Sequence, residues 1–118
     1  MSAYFTIQNK TEEDGKVIYR IELNADHEVY QGHFPGQPIM PGVVQLYIVE
    51  SLMSDHFQEN LRLQNARTLK FLAIVDPNKT QTIDVVLQAE KTEEGYKVSA
   101  MGQDESTKYF RLIGKMKA

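Results

Sequence analysis

The chain contains no cysteine and no tryptophan, and only three histidines. Without cysteine there is no disulfide framework and no thiolate ligand for a metal. The three histidines, His27, His33 and His56, are dispersed along the chain and form no local cluster of metal ligands. The sequence therefore predicts neither disulfide bonds nor a metal site.

Long hydrophobic runs and clusters of basic residues are also missing. No stretch of about 18 apolar residues occurs, and the N-terminus lacks the basic start and apolar core of a signal peptide. The formal net charge is −3, and no two lysine or arginine residues are adjacent. Binding to nucleic acid irrespective of sequence needs clustered cations that displace phosphate counterions. We therefore predict a cytoplasmic protein with no membrane span and no nucleic-acid partner.

What remains is an ordinary globular composition, with 118 residues of which 42% are hydrophobic and 25% charged. A chain of this length supports one hydrophobic core, since single domains cluster near about 100–150 residues. We predict a single domain over residues 1–118.

Alternating apolar residues predict most of the secondary structure. Val17, Tyr19, Ile21 and Leu23 alternate with more polar neighbours, which is the period of a half-buried strand. This strand is predicted at Lys16–Leu23, with Tyr4–Lys10 as its hairpin partner. Further strands are predicted on the same grounds at Ala66–Val75, Gln81–Ala89, Tyr96–Met101 and Tyr109–Met116.

One substantial helix is predicted, from about Gly42 to about Ser54. Apolar side chains occupy most of its circumference, so it should be buried on several sides. One helix with five or six antiparallel strands is most economically buried when the sheet curls around the helix, which gives an α+β fold.

The twelve-residue segment 32–43, which leads into the predicted helix, contains three prolines and three glycines. This density determines a backbone path without regular secondary structure, because proline locks φ and glycine adopts conformations closed to other residues. The path brings His33 near the helix N-terminus, where free amides can stabilise negative charge on a carbonyl oxygen. A neutral imidazole there is a suitable base at pH 7.

The segment Gly32-His33-Phe34-Pro35-Gly36-x-Pro38-x-x-Pro41-Gly42-Val43 resembles the signature of the hotdog-fold 3-hydroxyacyl-acyl carrier protein dehydratases. The match is close over about residues 31–46, and beyond it the order of strands and helix is similar. The Arg-Tyr-Pro-Phe type segment usual near the N-terminus of that family is absent. The resemblance implies a hotdog fold of five to six strands wrapped around the central helix.

The resemblance also implies residue roles. His33 matches the histidine that removes a proton from C2 of the acyl thioester, and the Gly42 amide matches the donor that polarises the thioester carbonyl. Phe34, Pro41 and Val43 are implied to contact substrate. No cofactor is implied, because the thioester itself acidifies C2. The implied substrate is a 3-hydroxyacyl chain on the phosphopantetheine arm of an acyl carrier protein, in fatty-acid or related lipid or polyene biosynthesis.

The sequence departs from the family at the acid that protonates the leaving hydroxyl. The family places Glu or Asp fourteen residues after the histidine, across a dimer interface, whereas this chain has Tyr47. A phenol with a reference pKa near 10 is a weaker proton donor than a carboxylic acid. Tyr47 is one candidate for the role, and Glu50, one helical turn further, is another. Each also has a purely structural interpretation, as an interface aromatic and a locally paired carboxylate.

Three functions remain open at this point. The first is a dehydratase, predicted to be a homodimer or higher homo-oligomer. The second is a non-catalytic acyl-binding subunit of a heteromeric dehydratase, which the presence of Tyr47 favours. The third is a thioesterase on the same scaffold, because one fold hosts several chemistries.

Overall fold

A computed structural model describes residues 4–28 and 39–118. Its elements, in chain order, are β1 (Phe5–Glu13), β2 (Lys16–Leu23), α1 (Gly42–Phe57), β3 (Arg62–Phe71), β4 (Thr82–Lys91), β5 (Tyr96–Gln103) and β6 (Lys108–Lys117). Among the described residues, no helix is long and apolar enough to cross a membrane.

The six strands form one antiparallel sheet in the order β1-β2-β4-β5-β6-β3. The β1–β2 hairpin closes through Asp14 and Gly15, both at positive φ, 52° and 78°. This is the backbone that a two-residue turn needs to match the strand twist. The predicted strand Lys16–Leu23 is confirmed.

Alternate residues of the inner strands point to the core. Tyr19 and Ile21 of β2 and Ile83 and Val85 of β4 are fully or almost fully buried. Their neighbours along each strand are more exposed, as the period of two requires. The sequence alternation therefore identified the inward face of the sheet correctly.

Helix α1 packs one face against this core. Its buried residues recur at a helical spacing and are Val44, Gln45, Ile48, Val49, Leu52 and Met53. Two large side chains on the other side stay substantially exposed, Val43 at 45% and Tyr47 at 41%. The expectation of burial on several sides is therefore only partly met within one copy of the chain.

Tyrosines from the sheet reach carboxylates at the C-terminal end of the helix. The Tyr19 hydroxyl donates to Asp55 Oδ2 at 2.7 Å, and the Tyr96 hydroxyl donates to Glu59 just beyond the helix. Burial raises the pKa of Tyr19, and the hydrogen bond to Asp55 raises it further, so this phenol stays a donor at neutral pH. These bonds connect the helix end to β2 and β5.

The third strand differs from its predicted bounds of Ala66–Val75. It begins at Arg62 and ends at Phe71, and it lies at the edge of the sheet, where it pairs with β6. The ladder ends because the amides of Leu72 and Ala73 both bond to the Tyr109 carbonyl, after which the chain turns away. Strands β1, β4, β5 and β6 and the helix run slightly past their predicted C-terminal ends, whereas β2 has its predicted bounds.

The β3–β6 ladder contains one close backbone approach, at Gly114. A Cβ atom there would lie 2.3 Å from the carbonyl oxygen of Asn65 on β3. We predict that Gly114→Ala lowers the free energy of unfolding by about 1–3 kcal/mol, because the backbone of β3 must move. Denaturant unfolding measures this, with Thr68→Ala on the neighbouring strand β3 as control. An unchanged midpoint for Gly114→Ala would show that β3 is loosely held.

Candidate functional site

The residues predicted to act fall into two groups. Pro41, Gly42, Val43, Tyr47 and Glu50 lie in the described part of the chain. His33 and Phe34 belong to residues 29–38, which lie outside it, so their predicted roles rest on sequence. The structure therefore shows the helix side of the candidate site, which includes the Gly42 amide as a hydrogen-bond donor.

The start of helix α1 presents backbone amides without a side-chain cap. Pro41 occupies the N-cap position with φ −63° and ψ 151°, and it offers no side-chain hydrogen bond. The first helical bonds to the Pro41 carbonyl come from the amides of Val44 and Gln45. The amides of Gly42 and Val43 precede this first bonded turn, at the positive end of the helix dipole. This is the arrangement that can stabilise a developing oxyanion.

An aromatic ring lies directly on the helix start. A Cβ atom built on Gly42 would be 2.7 Å from the ring of Phe71, the last residue of β3. Glycine at 42 therefore allows the ring to approach the helix backbone. Phe71 itself is 49% exposed, so it borders the site as a partly uncovered apolar wall. The sequence analysis placed Phe71 in a strand and gave no signal for this contact.

A buried glutamine holds the segment that leads into the helix. Gln45 is only 4% exposed, and its amide nitrogen donates to the Met40 carbonyl at 3.4 Å. The Met40 amide in turn donates to the Val75 carbonyl at 2.8 Å. Gln45 Oε1 is buried with no hydrogen-bond partner among the described residues. The sequence analysis missed Gln45, although a single amide within the apolar run Val43–Val49 was a detectable signal.

Tyr47 and Glu50 line one surface groove of about 510 Å³, together with Tyr4, Ser51, Ser54, Asn60, Leu61 and Arg62. The structure thus brings the two candidate acids together on one side of the helix. A second depression, of about 530 Å³, is lined by the β4–β5 turn and by parts of β3, β5 and β6, and no predicted site residue lines it. The groove at Tyr47 is therefore the better match to the predicted site.

Within this groove the Glu50 carboxylate is engaged by β3. Its Oε2 accepts a hydrogen bond from the Leu63 amide at 2.7 Å, and its Oε1 lies 4.0 Å from the Arg62 guanidinium. The side chain is 15% exposed. Glu50 thus joins the middle of the helix to the start of the edge strand, whereas the Tyr47 side chain is 41% exposed.

Groups of residues that could hold a metal ion are absent from the described residues, 4–28 and 39–118. The polar groups gathered at the helix start are backbone amides and a glutamine. Such groups bind and polarise a carbonyl oxygen, and they supply no redox chemistry of their own.

Solved structures define the class of protein. A chain of the dehydratase heterocomplex ApeI:P from Xenorhabdus doucetiae matches with a TM-score of 0.72 and 15% identity, covering 97% of this chain and 98% of that one. An uncharacterized protein from Erwinia carotovora subsp. atroseptica matches with a TM-score of 0.71 and 20% identity, covering 99% and 97%. At these identities the likeness establishes the fold, and the protein has the hotdog fold.

The family follows from the sequence. The model of the ApeI-like family, described as ApeI dehydratase, matches residues 8–109. The chain belongs to the ApeI-like dehydratase family, which confirms the resemblance read from the motif.

Curated proteins similar to this chain are also dehydratases. The 3-hydroxyacyl-acyl-carrier-protein dehydratase FabZ of Latilactobacillus sakei is 33% identical over 85 residues, 66% of this chain and 61% of the relative. The enzyme of the same name from Levilactobacillus brevis is 34% identical over 83 residues, 62% and 54%. The matches thus span about three fifths of the length of these relatives or less.

The contact between Glu50 and Leu63 predicts a loss of stability. Glu50→Ala should lower the free energy of unfolding by about 1–3 kcal/mol, because the Leu63 amide loses its acceptor. Glu50→Gln keeps an amide oxygen for that bond and should cost less. Urea unfolding of both variants checks this. A large loss of activity in Glu50→Gln at unchanged stability would instead assign Glu50 a role as an acid.

Proposed function

We propose that the protein is a 3-hydroxyacyl-acyl carrier protein dehydratase, which removes water from a thioester-linked 3-hydroxyacyl chain. The observation that carries the proposal is the start of α1 at Gly42, where the N-cap residue Pro41 supplies no side-chain cap, within the motif that contains His33. Membership of the ApeI-like dehydratase family supports it. A cytoplasmic location and a place in fatty-acid or related lipid biosynthesis are part of this proposal.

The reaction needs two proton transfers, one away from C2 and one to the hydroxyl on C3. The His33 imidazole takes a proton from C2, while the Gly42 amide donates to the thioester oxygen and stabilises the enolate charge. The electron pair then forms the C2–C3 double bond as the C3–O bond breaks. The hydroxyl leaves as water after receiving a proton. No cofactor takes part in these steps.

The proton for the leaving hydroxyl is assigned to Tyr47 or to a group held near it. Tyr47 is accessible in the groove, whereas the Glu50 oxygens face Leu63 and Arg62. Pro41 and Val43 flank the Gly42 amide and are proposed to contact the acyl chain, as is Phe34 from the motif.

A second candidate function is an acyl-binding subunit that completes a heteromeric dehydratase. The phenol of Tyr47 at the position of the expected carboxylate favours it, and one structural neighbour is part of a dehydratase heterocomplex. Either function involves an acyl carrier protein and a second subunit. Hydration of an enoyl-thioester by the purified chain alone separates the two, and release of free thiol instead would indicate a thioesterase.

His33→Ala should reduce enoyl-thioester hydration by about 10²–10⁴-fold, because the base is removed. The free energy of unfolding should change little, because the sequence predicts no regular secondary structure at His33 and removal of its side chain should cost little packing. His27→Ala, outside the motif, is the matched control and should retain activity. If His33→Ala unfolds the protein together with its activity, the histidine is structural.

Two substitutions at position 47 test the proton donor. Tyr47→Phe should lower the rate by roughly tenfold or more, about 1.4 kcal/mol of transition-state stabilisation, if the phenol takes part. Tyr47→Glu should raise the rate, because a partly buried carboxylic acid is a better donor than a phenol. Full activity in Tyr47→Phe would remove the hydroxyl from the mechanism. If the native chain and both variants are inert toward carrier-protein thioesters, the subunit function replaces the enzyme.

A further inference from the structure

One buried polar side chain of helix α1 is not explained by packing. Gln45 is 4% exposed, and the other side chains buried on this helix are all apolar. Its Oε1 atom has no hydrogen-bond partner among residues 4–28 and 39–118. A buried amide oxygen without a partner costs stability, and an apolar side chain of similar size would avoid that cost. Stability alone therefore does not account for a glutamine at this position.

The nitrogen of the same amide holds the residue that leads into the helix. Gln45 Nε2 donates to the Met40 carbonyl at 3.4 Å, which is long for such a bond. Met40 is only 2% exposed, so water does not compete for this carbonyl, and the dry surroundings strengthen the bond. The Met40 amide donates to the Val75 carbonyl at 2.8 Å. Both backbone polar groups of Met40 are thus held, one by helix α1 and one by the segment between β3 and β4.

Two backbone torsions separate the Met40 carbonyl from the N–H of Gly42, and both belong to Pro41. The φ of Pro41, −63°, is restricted by the pyrrolidine ring. Its ψ, 151°, is held because the Pro41 carbonyl accepts from the amides of Val44 and Gln45 at 3.1 and 3.3 Å. Each peptide group is planar. The direction of the Gly42 N–H therefore follows from the direction of the Met40 carbonyl.

We infer that Gln45 is a positioning residue for the oxyanion donor. Its side-chain amide holds the Met40 carbonyl and, through Pro41, aims the Gly42 N–H at the thioester oxygen. This role rests on the proposed function, in which that N–H stabilises the enolate. Such a donor lowers the barrier when it already points to where the charge develops. Loss of the Gln45 amide should therefore lower kcat and leave KM nearly unchanged.

Gln45→Met removes the amide and keeps a side chain of similar length that suits an apolar site. We expect kcat for enoyl-thioester hydration to fall at least about tenfold, with KM within about twofold of the native value. The urea unfolding midpoint should change little, because the lost bond to Met40 is offset by removal of the unpartnered Oε1. Gln58→Met is the matched control and should keep the native kcat. Gln58 Nε2 likewise donates to a backbone carbonyl, that of Asp55, at the exposed C-terminal end of the same helix.

Gln45→Glu gives a readout that a merely structural role would not move. Burial should raise the pKa of the introduced carboxyl, because it disfavours the charged form. The protonated carboxyl can donate to the Met40 carbonyl as the amide does, whereas the ionised one has no proton to donate and repels that oxygen. The ratio of variant to native kcat should therefore fall at least about tenfold as the pH rises through this pKa, and recover when the pH is lowered.

The direction of the Gly42 N–H can also be measured without substrate, from residual dipolar couplings of the backbone amides. We expect the Gly42 coupling to change in Gln45→Met, while the couplings of Ile48 and Leu52, in the buried part of the helix, stay native. This measurement keeps the two proposals apart because it needs no activity. If the native chain hydrates no enoyl-thioester, the dehydratase fails, and the coupling still decides whether Gln45 aims the Gly42 N–H.

Any one of three results overturns the role of Gln45. The first is an unchanged Gly42 coupling in Gln45→Met. The second is an unchanged kcat in that variant when the native chain is active. The third is ionisation of the carboxyl in Gln45→Glu, followed by NMR, with no fall in the kcat ratio. If Gln45→Met does not fold, the pH dependence of the Gly42 coupling in Gln45→Glu decides in its place.

Discussion

The burial of one face of helix α1 against the sheet is the interaction on which the rest of the structure depends. Val44, Ile48 and Leu52 lie on that face and are almost completely excluded from water. Burial of several such side chains contributes about 1.5–3 kcal/mol each and outweighs any individual polar contact in the molecule. The position of the helix start, and with it the Gly42 amide, follows from this packing.

Polar contacts then determine the orientation of the packed helix. At one end of the helix the Gln45 side chain donates a hydrogen bond to the Met40 carbonyl. In the middle the Glu50 carboxylate accepts one from the Leu63 amide. Near the other end Asp55 accepts one from the Tyr19 hydroxyl. Each bond joins the helix to a different part of the chain. Together they align the helix start with the end of β3, where Phe71 lies over Gly42.

The face of helix α1 that this packing leaves exposed carries residues of the candidate site, Val43 and Tyr47. Tyr47 shares a groove with Arg62, the first residue of the edge strand β3, and Phe71 at the other end of that strand lies on Gly42, so the candidate site borders the free edge of the sheet. A chemistry that needs base, oxyanion donor and acid can be divided between two chains at such an edge. Tyr47 stands where the resembled family has a carboxylate, and the oxygens of the neighbouring Glu50 are engaged by Leu63 and Arg62.

The sequence by itself determined the helix, the approximate positions of the strands and the family, because these depend on local periodicity and on a motif of consecutive residues. The alternation in Lys16–Leu23 and the glycine and proline spacing around His33 are visible without any long-range contact. Only the tertiary structure decided that β3 crosses to β6, that Phe71 lies on Gly42 and that Glu50 bonds to Leu63. These features join residues far apart in the chain. They depend on which faces pack together in space, a property that no local pattern encodes.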